Sequence, residues 1–234
     1  MVKKKKTIII KRFHQDRAVP GWEESYTVPA EGRATVLQSL LYIYENLDST
    51  LAFEYSCRYA KCGLCGVEVN GRPGLACTAF LNNDQTLVGP LANLPVIRDL
   101  VVDRSPLDRL LKDQKIFFSG TVPDESPGTD QCGAGDCFPL LEVPEGLKKL
   151  LSCVECFSCH AACPNLDYSD PALNRFAGPL VFLKLAQLHL DPRDQKNRKS
   201  QARRLGIEQC ATCRRCYCPI GIPIYNLAIK PFLG

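Results

Sequence analysis

The chain of 234 residues lacks any apolar run near the roughly 20 residues that a bilayer-spanning helix needs; the best candidate, Gly178–Leu190, is short and carries Lys184 and His189. No segment of it is therefore expected to cross a membrane. The opening MVKKKKTIIIKRF places only three isoleucines between its basic run and Lys11, too few for the apolar core of a secretory signal. Also missing are a Ser/His/Asp set, paired catalytic carboxylates and a dinucleotide-binding glycine fingerprint. Chemistry on a substrate is thus expected to reside in another chain.

What is present is ordinary in bulk and unusual in one residue type. Hydrophobic residues make up 45% and charged residues 23%, which excludes long disorder, and the length suits two compact modules. Fourteen cysteines admit a disulfide framework, zinc sites or iron-sulfur clusters. Without a signal segment, a reducing compartment is expected, and thiols there stay reduced. The net charge of +4 hides an asymmetry: residues 184–234 hold 10 basic against 3 acidic side chains, whereas 106–183 hold 6 against 11.

Residues 7–13 (TIIIKRF) and 24–28 (ESYTV) read as two strands of a hairpin, with Pro20 and Gly21 between them. From Thr35, a plausible cap, Val36, Leu40, Ile43, Tyr44 and Leu47 recur at helical spacing. A cysteine loop at 57–65, a strand at Val67–Val69 with an Asn70-Gly71 turn and an apolar run at Leu94–Val102 follow. The expected fold class is α+β, with a small mixed sheet crossed by a helix in residues 1–115. Residues 116–144, with Pro123, Pro127, Pro139, Pro144 and several glycines, read as a linker. Residues 145–234 read as a helical domain, with helical patterns at 145–156, 172–190 and 199–216 interrupted by cysteines.

Twelve cysteines form three sets. Cys57-x4-Cys62-x2-Cys65, with Cys77 twelve positions later, has the plant-type ferredoxin spacing for a 2Fe-2S cluster. Gly63 and Gly66 would let this loop fold closely around the cluster, with N–H groups aimed at its sulfurs. Structural zinc and unligated buried thiols are the alternatives. Cys153-x2-Cys156-x2-Cys159-x3-Cys163-Pro164 matches the bacterial ferredoxin run for a 4Fe-4S cluster, whose fourth cysteine serves a second cluster. The partner run is Cys210-x2-Cys213-x2-Cys216-x1-Cys218-Pro219, with its last spacing shortened. Crossed ligation then assigns Cys153, Cys156, Cys159 and Cys218 to one 4Fe-4S cluster. It assigns Cys163, Cys210, Cys213 and Cys216 to a distal one, 4Fe-4S with Cys213 and 3Fe-4S without it. The remaining pair, Cys132 and Cys137, cannot complete a four-ligand site.

A plant-type domain followed by two interlocked ferredoxin runs resembles the iron-sulfur subunit of the succinate dehydrogenase and fumarate reductase family, over nearly the whole chain. The resemblance implies an N-terminal β-grasp 2Fe-2S domain and an all-α bacterial-ferredoxin-like domain. It also implies an FAD-containing flavoprotein partner that interconverts succinate and fumarate, and a membrane anchor or other acceptor, with quinone as one candidate. In that frame the 2Fe-2S site lies nearest the flavin and the site with Cys163, Cys210 and Cys216 farthest. Two positions depart from quinone-reactive members, Ala211 where they carry His and Tyr168 where they carry Trp. The resemblance then leaves a different quinone site, a haem or a further cysteine-rich subunit as acceptor, and the alternative function is an equivalent electron-conducting subunit of another flavin-dependent or thiol/disulfide-linked reductase.

The basic residues Arg193, Lys196, Arg198, Lys199, Arg203, Arg204, Arg214 and Arg215 are read either as a solvated face or as a surface for anionic lipid or an acidic partner. Nucleic acid is not expected, because aromatics are sparse there. His160, inside a cysteine run, is read as a surface histidine. The expected location is peripheral, on the cytoplasmic side of a membrane.

Overall fold

The computed structural model describes residues 5–30, 32–120, 143–166 and 176–234. Strands β1 (Lys5–Phe13) and β2 (Gly21–Pro29) pair antiparallel, from Lys5 opposite Pro29 to Phe13 opposite Gly21. The expected hairpin forms, longer at both ends than its β-branched residues alone suggest. Alternation along β1 sends Ile8, Ile10 and Arg12 to the buried face.

Helix α1 (Val36–Asn46) opens with a capping box: the Thr35 hydroxyl accepts the Gln38 N–H, and the Gln38 side chain accepts the Thr35 N–H. Val36, Leu37, Leu40 and Ile43 form its buried stripe. Tyr44 and Leu47, expected on that stripe, are 47% and 50% exposed. The helix ends at Asn46, so Leu47 leaves with non-helical backbone, and the Tyr44 ring turns edge-on to Phe53 at 6.1 Å.

Strands β3 (Gly66–Val69) and β4 (Arg72–Leu75) are joined by Asn70 and Gly71, whose φ values of 51° and 76° make the left-handed pair that a two-residue hairpin requires. Strand β5 (Gln85–Gly89) lies parallel to β1 and antiparallel to β3, giving the sheet order β2-β1-β5-β3-β4. A ribbon of β6 (Val96–Arg98) and β7 (Val101–Val102) precedes α2 (Ser105–Asp113).

The second half contains α3 (Glu145–Leu151), α4 (Ser158–Ala161), α5 (Pro179–Leu190), α6 (Arg198–Arg204), a 3-10 turn at Ile207–Cys210 and a π-helical turn, Tyr225–Ile229, that runs into α7 (Lys230–Leu233). Helix α5 is buried nearly all round from Pro179 to Ala186, which explains its dense apolar sequence without a membrane. Among the described residues no helix is long and apolar enough to cross a bilayer. Two of the expected helices stop early: α3 ends at Leu151 and α6 at Arg204, not at 156 and 216. Glu155 and Phe157 adopt φ of 53° and 62°, left-handed conformations that a continuing helix excludes.

The two halves share a core. Leu91, Leu94, Val102 and Leu107 pack with the helices, and Cys156 and Val154 pack with the sheet domain.

Two buried arginines tie the segments that hold the cysteines. Arg12 donates to Asp99 (2.9 Å), Glu24 (2.8 Å), Tyr26 (2.7 Å), Asp48 (2.5 Å) and Thr50 (3.0 Å), and Asp99 also accepts the Phe13 and Ala52 N–H groups. This network fixes residues 48–52, the lead-in to the Cys57 loop. Burial alone would raise the Asp48 carboxyl, but hydrogen bonds from Thr50, Tyr26 and Arg12 outweigh it and hold the group well below the usual carboxylate range.

Arg198, expected on a basic surface, is instead fully buried. It pairs with Asp194 through two bonds of 3.0 and 2.6 Å and donates to the Phe117 carbonyl at 2.7 Å. It therefore stitches the chain leaving α2 onto α6.

Candidate metal centres

The first cysteine loop is shaped by left-handed residues. Arg58, Ala60 and Gly63 have φ of 63°, 55° and 72°, and the curl they produce aims the Tyr59 and Lys61 N–H groups at Cys57 Sγ, at 3.4 and 3.2 Å. Those two N–H groups draw the Cys57 thiol down to about 7. Cys65 and Cys77 flank the base of the β3–β4 hairpin, where the Ala76 N–H bonds the Cys65 carbonyl at 2.8 Å. Burial pushes the Cys65 thiol up to about 12, with Cys77 beside it. The Ala76 and Ala79 carbonyls accept the Leu37 and Val36 N–H groups at 2.9 and 2.8 Å. The start of α1 thus clamps the Cys77 segment, and two of the helix's orphan donors are satisfied.

Gly63 and Gly66 have a role that the sequence does not reveal. A Cβ at Gly63 would lie 1.9 Å from the Val154 carbonyl oxygen, and one at Gly66 would lie 2.7 Å from the Cys156 carbonyl oxygen. These glycines are where the first cysteine loop meets the second, backbone to backbone.

Cys153, Cys156, Cys159 and Cys218 line a single cavity walled by Leu180 and Leu183 of α5 and by Ile220 and Ile224. Cys163, Cys210, Cys213 and Cys216 line a second cavity, with Phe176 and Arg215. Cys159 belongs to the wall of both. Each cavity therefore takes thiols from both runs. Burial is the main cause that raises Cys153, Cys156, Cys159 and Cys163, and it takes Cys210 to about 12 and Cys216 to about 11, with neighbouring thiols adding to it. A cationic partner in the cavity favours the thiolates, whose protons leave to solvent as it binds. Four converging sulfur donors with apolar walls fit an iron-sulfur cluster, and proton release then accompanies binding. Among the described residues no three His, Cys, Asp or Glu groups are placed to hold a single metal ion.

His160 is a correction. It is fully buried behind Cys159, against Gly178, where a Cβ would lie 2.5 Å from His160 Cε1. Desolvation lowers its pKa to about 4, so the imidazole is neutral near pH 7. On the basic face, Arg193 pairs with Asp191 at 2.8 Å, Lys196 lies 5.0 Å from the Phe117 ring centroid and Arg214 lies 5.4 Å from that of Tyr225. Cys132, Cys137 and Tyr168 lie outside the described residues.

The domain model of a 2Fe-2S iron-sulfur cluster binding domain matches residues 7–109. The chain is 35% identical to the fumarate reductase iron-sulfur subunit of Mycobacterium tuberculosis over 85% of its own length and 80% of that protein. It is 33% identical to a fumarate reductase (CoM/CoB) subunit of Methanothermobacter marburgensis, over 88% of this chain and 39% of that protein. It thus spans about two fifths of the length of the longer relatives that it matches. A chain of the Mycobacterium smegmatis Sdh1 complex superposes with a TM-score of 0.82 at 26% identity, covering 99% of this chain and 95% of that one.

Proposed function

The chain belongs to the family of fumarate reductase and succinate dehydrogenase iron-sulfur subunits, and from that membership we propose that it conducts electrons between an FAD flavoprotein and a second acceptor. The flavoprotein would interconvert succinate and fumarate. Cys57, Cys62, Cys65 and Cys77 would hold a 2Fe-2S cluster; Cys153, Cys156, Cys159 and Cys218 a 4Fe-4S cluster; and Cys163, Cys210, Cys213 and Cys216 a distal 4Fe-4S cluster. Bound clusters supply one-electron chemistry and nothing else.

The observation that carries this reading is the linear order of the thiols. Cys62 and Cys153 line one shared cavity, and Cys159 is common to the next two. The chain's own residues keep that order. The Gly63 and Gly66 contacts bring the first loop against the second, Asn93 fastens the sheet domain to the Cys163 turn, and α5 keeps water from the inner thiols. We further propose that the chain sits peripherally on the cytoplasmic side of a membrane, held by partner subunits at its distal, basic end.

A second reading rests on the similarity to the methanogen protein named for CoM/CoB, in which the distal acceptor is a thiol-linked partner rather than a quinone. Purification of the native complex with identification of its subunits decides between the two. A succinate-oxidising flavoprotein with a membrane anchor supports the first, and a soluble partner carrying further cysteine motifs supports the second. A different flavoprotein, or no flavoprotein at all, overturns both.

A further inference from the structure

The space between the first and second cysteine sites holds one side chain whose role the ligand assignment does not explain. Arg104, at the start of α2, donates through Nη2 to the Leu64 carbonyl at 2.9 Å. Leu64 lies between Cys62 and Cys65. The same guanidinium carbon lies 5.2 Å from the Phe157 ring centroid, and Phe157 lies between Cys156 and Cys159. Its Nε is buried and, among the described residues, has no hydrogen-bond partner. The cavity that Arg104 lines also exposes Cys62 from the first site and Cys153 from the second. One guanidinium therefore touches both cysteine loops and shares a cavity with a cysteine of each.

Carboxylates share the site: Glu54 forms a salt bridge with Arg104 Nη2 at 3.4 Å, Asp108 lies on the cavity wall, and Glu155 is engaged by Lys184. Clusters held by four thiolates are net anionic, and reduction adds a further negative charge. A cation set between two such sites favours the reduced form of each, and more strongly where water is thin. The planar fork of arginine, with one edge on a backbone carbonyl and one face on a ring, also holds the guanidinium in place.

We propose that Arg104 is a positioning residue for electron transfer between the first and second centres: its charge raises the reduction potential of both. The proposal rests on the ligand assignment above. The juxtaposition of Arg104 with Cys62 and Cys153 carries it.

The test compares Arg104→Lys with two neutral variants, Arg104→Gln and Arg104→Met, in the assembled complex. Iron content and EPR-monitored redox titration resolve each centre. Both neutral variants are expected to shift the midpoints of the first and second centres to lower potential and to leave the distal centre in place. Arg104→Lys, which keeps charge and loses the planar contacts, should stay near the parent midpoints. Loss of iron from the neutral variants alone, with normal loading of the lysine variant, also supports a role for the charge. Unchanged midpoints in a fully loaded neutral variant overturn the proposal, as does a lysine variant that shifts or fails to load as far as the neutral ones. A parent complex without 2Fe-2S and 4Fe-4S signals would instead defeat the ligand assignment, so the two failures are separable.

Discussion

Asn93 Nδ2, in the sheet domain, lies 3.1 Å from the carbonyl oxygen of Cys163, in the helical domain, and within 3.4 Å of the carbonyls of His160 and Ala161. One side-chain amide thus reaches the carbonyls at the C-terminal end of α4, where the His160 carbonyl also accepts the Cys163 N–H at 3.1 Å.

Asn93 also has φ of 58°, a conformation that asparagine and glycine adopt at lower cost than alanine. Asn93→Gly should lose about 1–2 kcal/mol with the hydrogen bonds. Asn93→Ala should lose about 1 kcal/mol more from backbone strain. Thermal unfolding of the loaded chain should rank parent above glycine above alanine. A glycine variant as stable as the parent would show that the amide contacts carry no weight, and an alanine variant no less stable than the glycine one would do the same for the backbone strain.

Gly63 and Gly71 separate strain from collision. Both have positive φ, 72° and 76°, but a Cβ at Gly71 meets nothing within 4 Å whereas one at Gly63 meets the Val154 carbonyl oxygen at 1.9 Å. Gly71→Ala should cost about 1–2 kcal/mol and leave all centres intact. Gly63→Ala should force the first and second loops apart, seen as weakened magnetic coupling between their centres or loss of one of them. Equal behaviour of the two variants would exclude the backbone contact as a determinant of assembly.

The full triplet at Cys210, Cys213 and Cys216 leads to an expected content of roughly ten iron atoms in the loaded subunit. Cys213→Ser should convert the distal centre toward a 3Fe-4S form with an altered potential, and spare the 2Fe-2S signal. An unchanged distal potential in the variant would remove Cys213 from the ligand set.

Asp194 titrates against Arg198. Burial raises its carboxyl, but hydrogen bonds from Arg198 and from the Lys196 and Ser119 N–H groups prevail and lower it from the ordinary 3.8. A depressed folded value stabilises the protein fully above the unfolded value, and this contribution is lost as pH falls through the folded one. Asp194→Asn leaves Arg198 buried without its charge partner and should cost about 3–5 kcal/mol near pH 7. The stability gap between parent and variant should be constant above about pH 5 and shrink below the unfolded value near 4. A gap that does not depend on pH would show that the ion pair does not contribute as a charged pair.

The cysteine sets, the first hairpin, the Asn70-Gly71 turn and the Thr35 cap are legible in the sequence because each is local: spacing, alternation or a single residue's conformational preference specifies it. Strand β5 is not, because QTLVG is short and opens on polar residues, and it becomes a strand only between β1 and β3. The same limit hides the burial of His160 and Arg198, whose neighbours Gly178 and Phe117 are 18 and 81 positions away. Gly63 and Gly66 stand out in the sequence for their lack of a Cβ, but the group that needs the room, the 154–156 backbone, comes from the other domain. Arg104 gives no signal in the sequence at all. The start of a helix is an ordinary place for an arginine, and only the folded chain brings Leu64 and Phe157 to either side of it.

The exchange of thiols between the two runs sets a timetable for biogenesis. Growing from its N-terminus, the polypeptide has every strand of the five-stranded sheet and all of Cys57, Cys62, Cys65 and Cys77 once residue 89 is free. The first pocket is therefore open to an iron donor while most of the polypeptide is still on the ribosome. Neither of the later pockets exists until Cys216 and Cys218 emerge. A chain truncated between about residues 160 and 215 would carry at most the first centre and a tail of thiols from the Cys153 run. If the ligand assignment holds, iron delivery to the second and third pockets follows the emergence of Cys218, on a chain whose first domain is already folded.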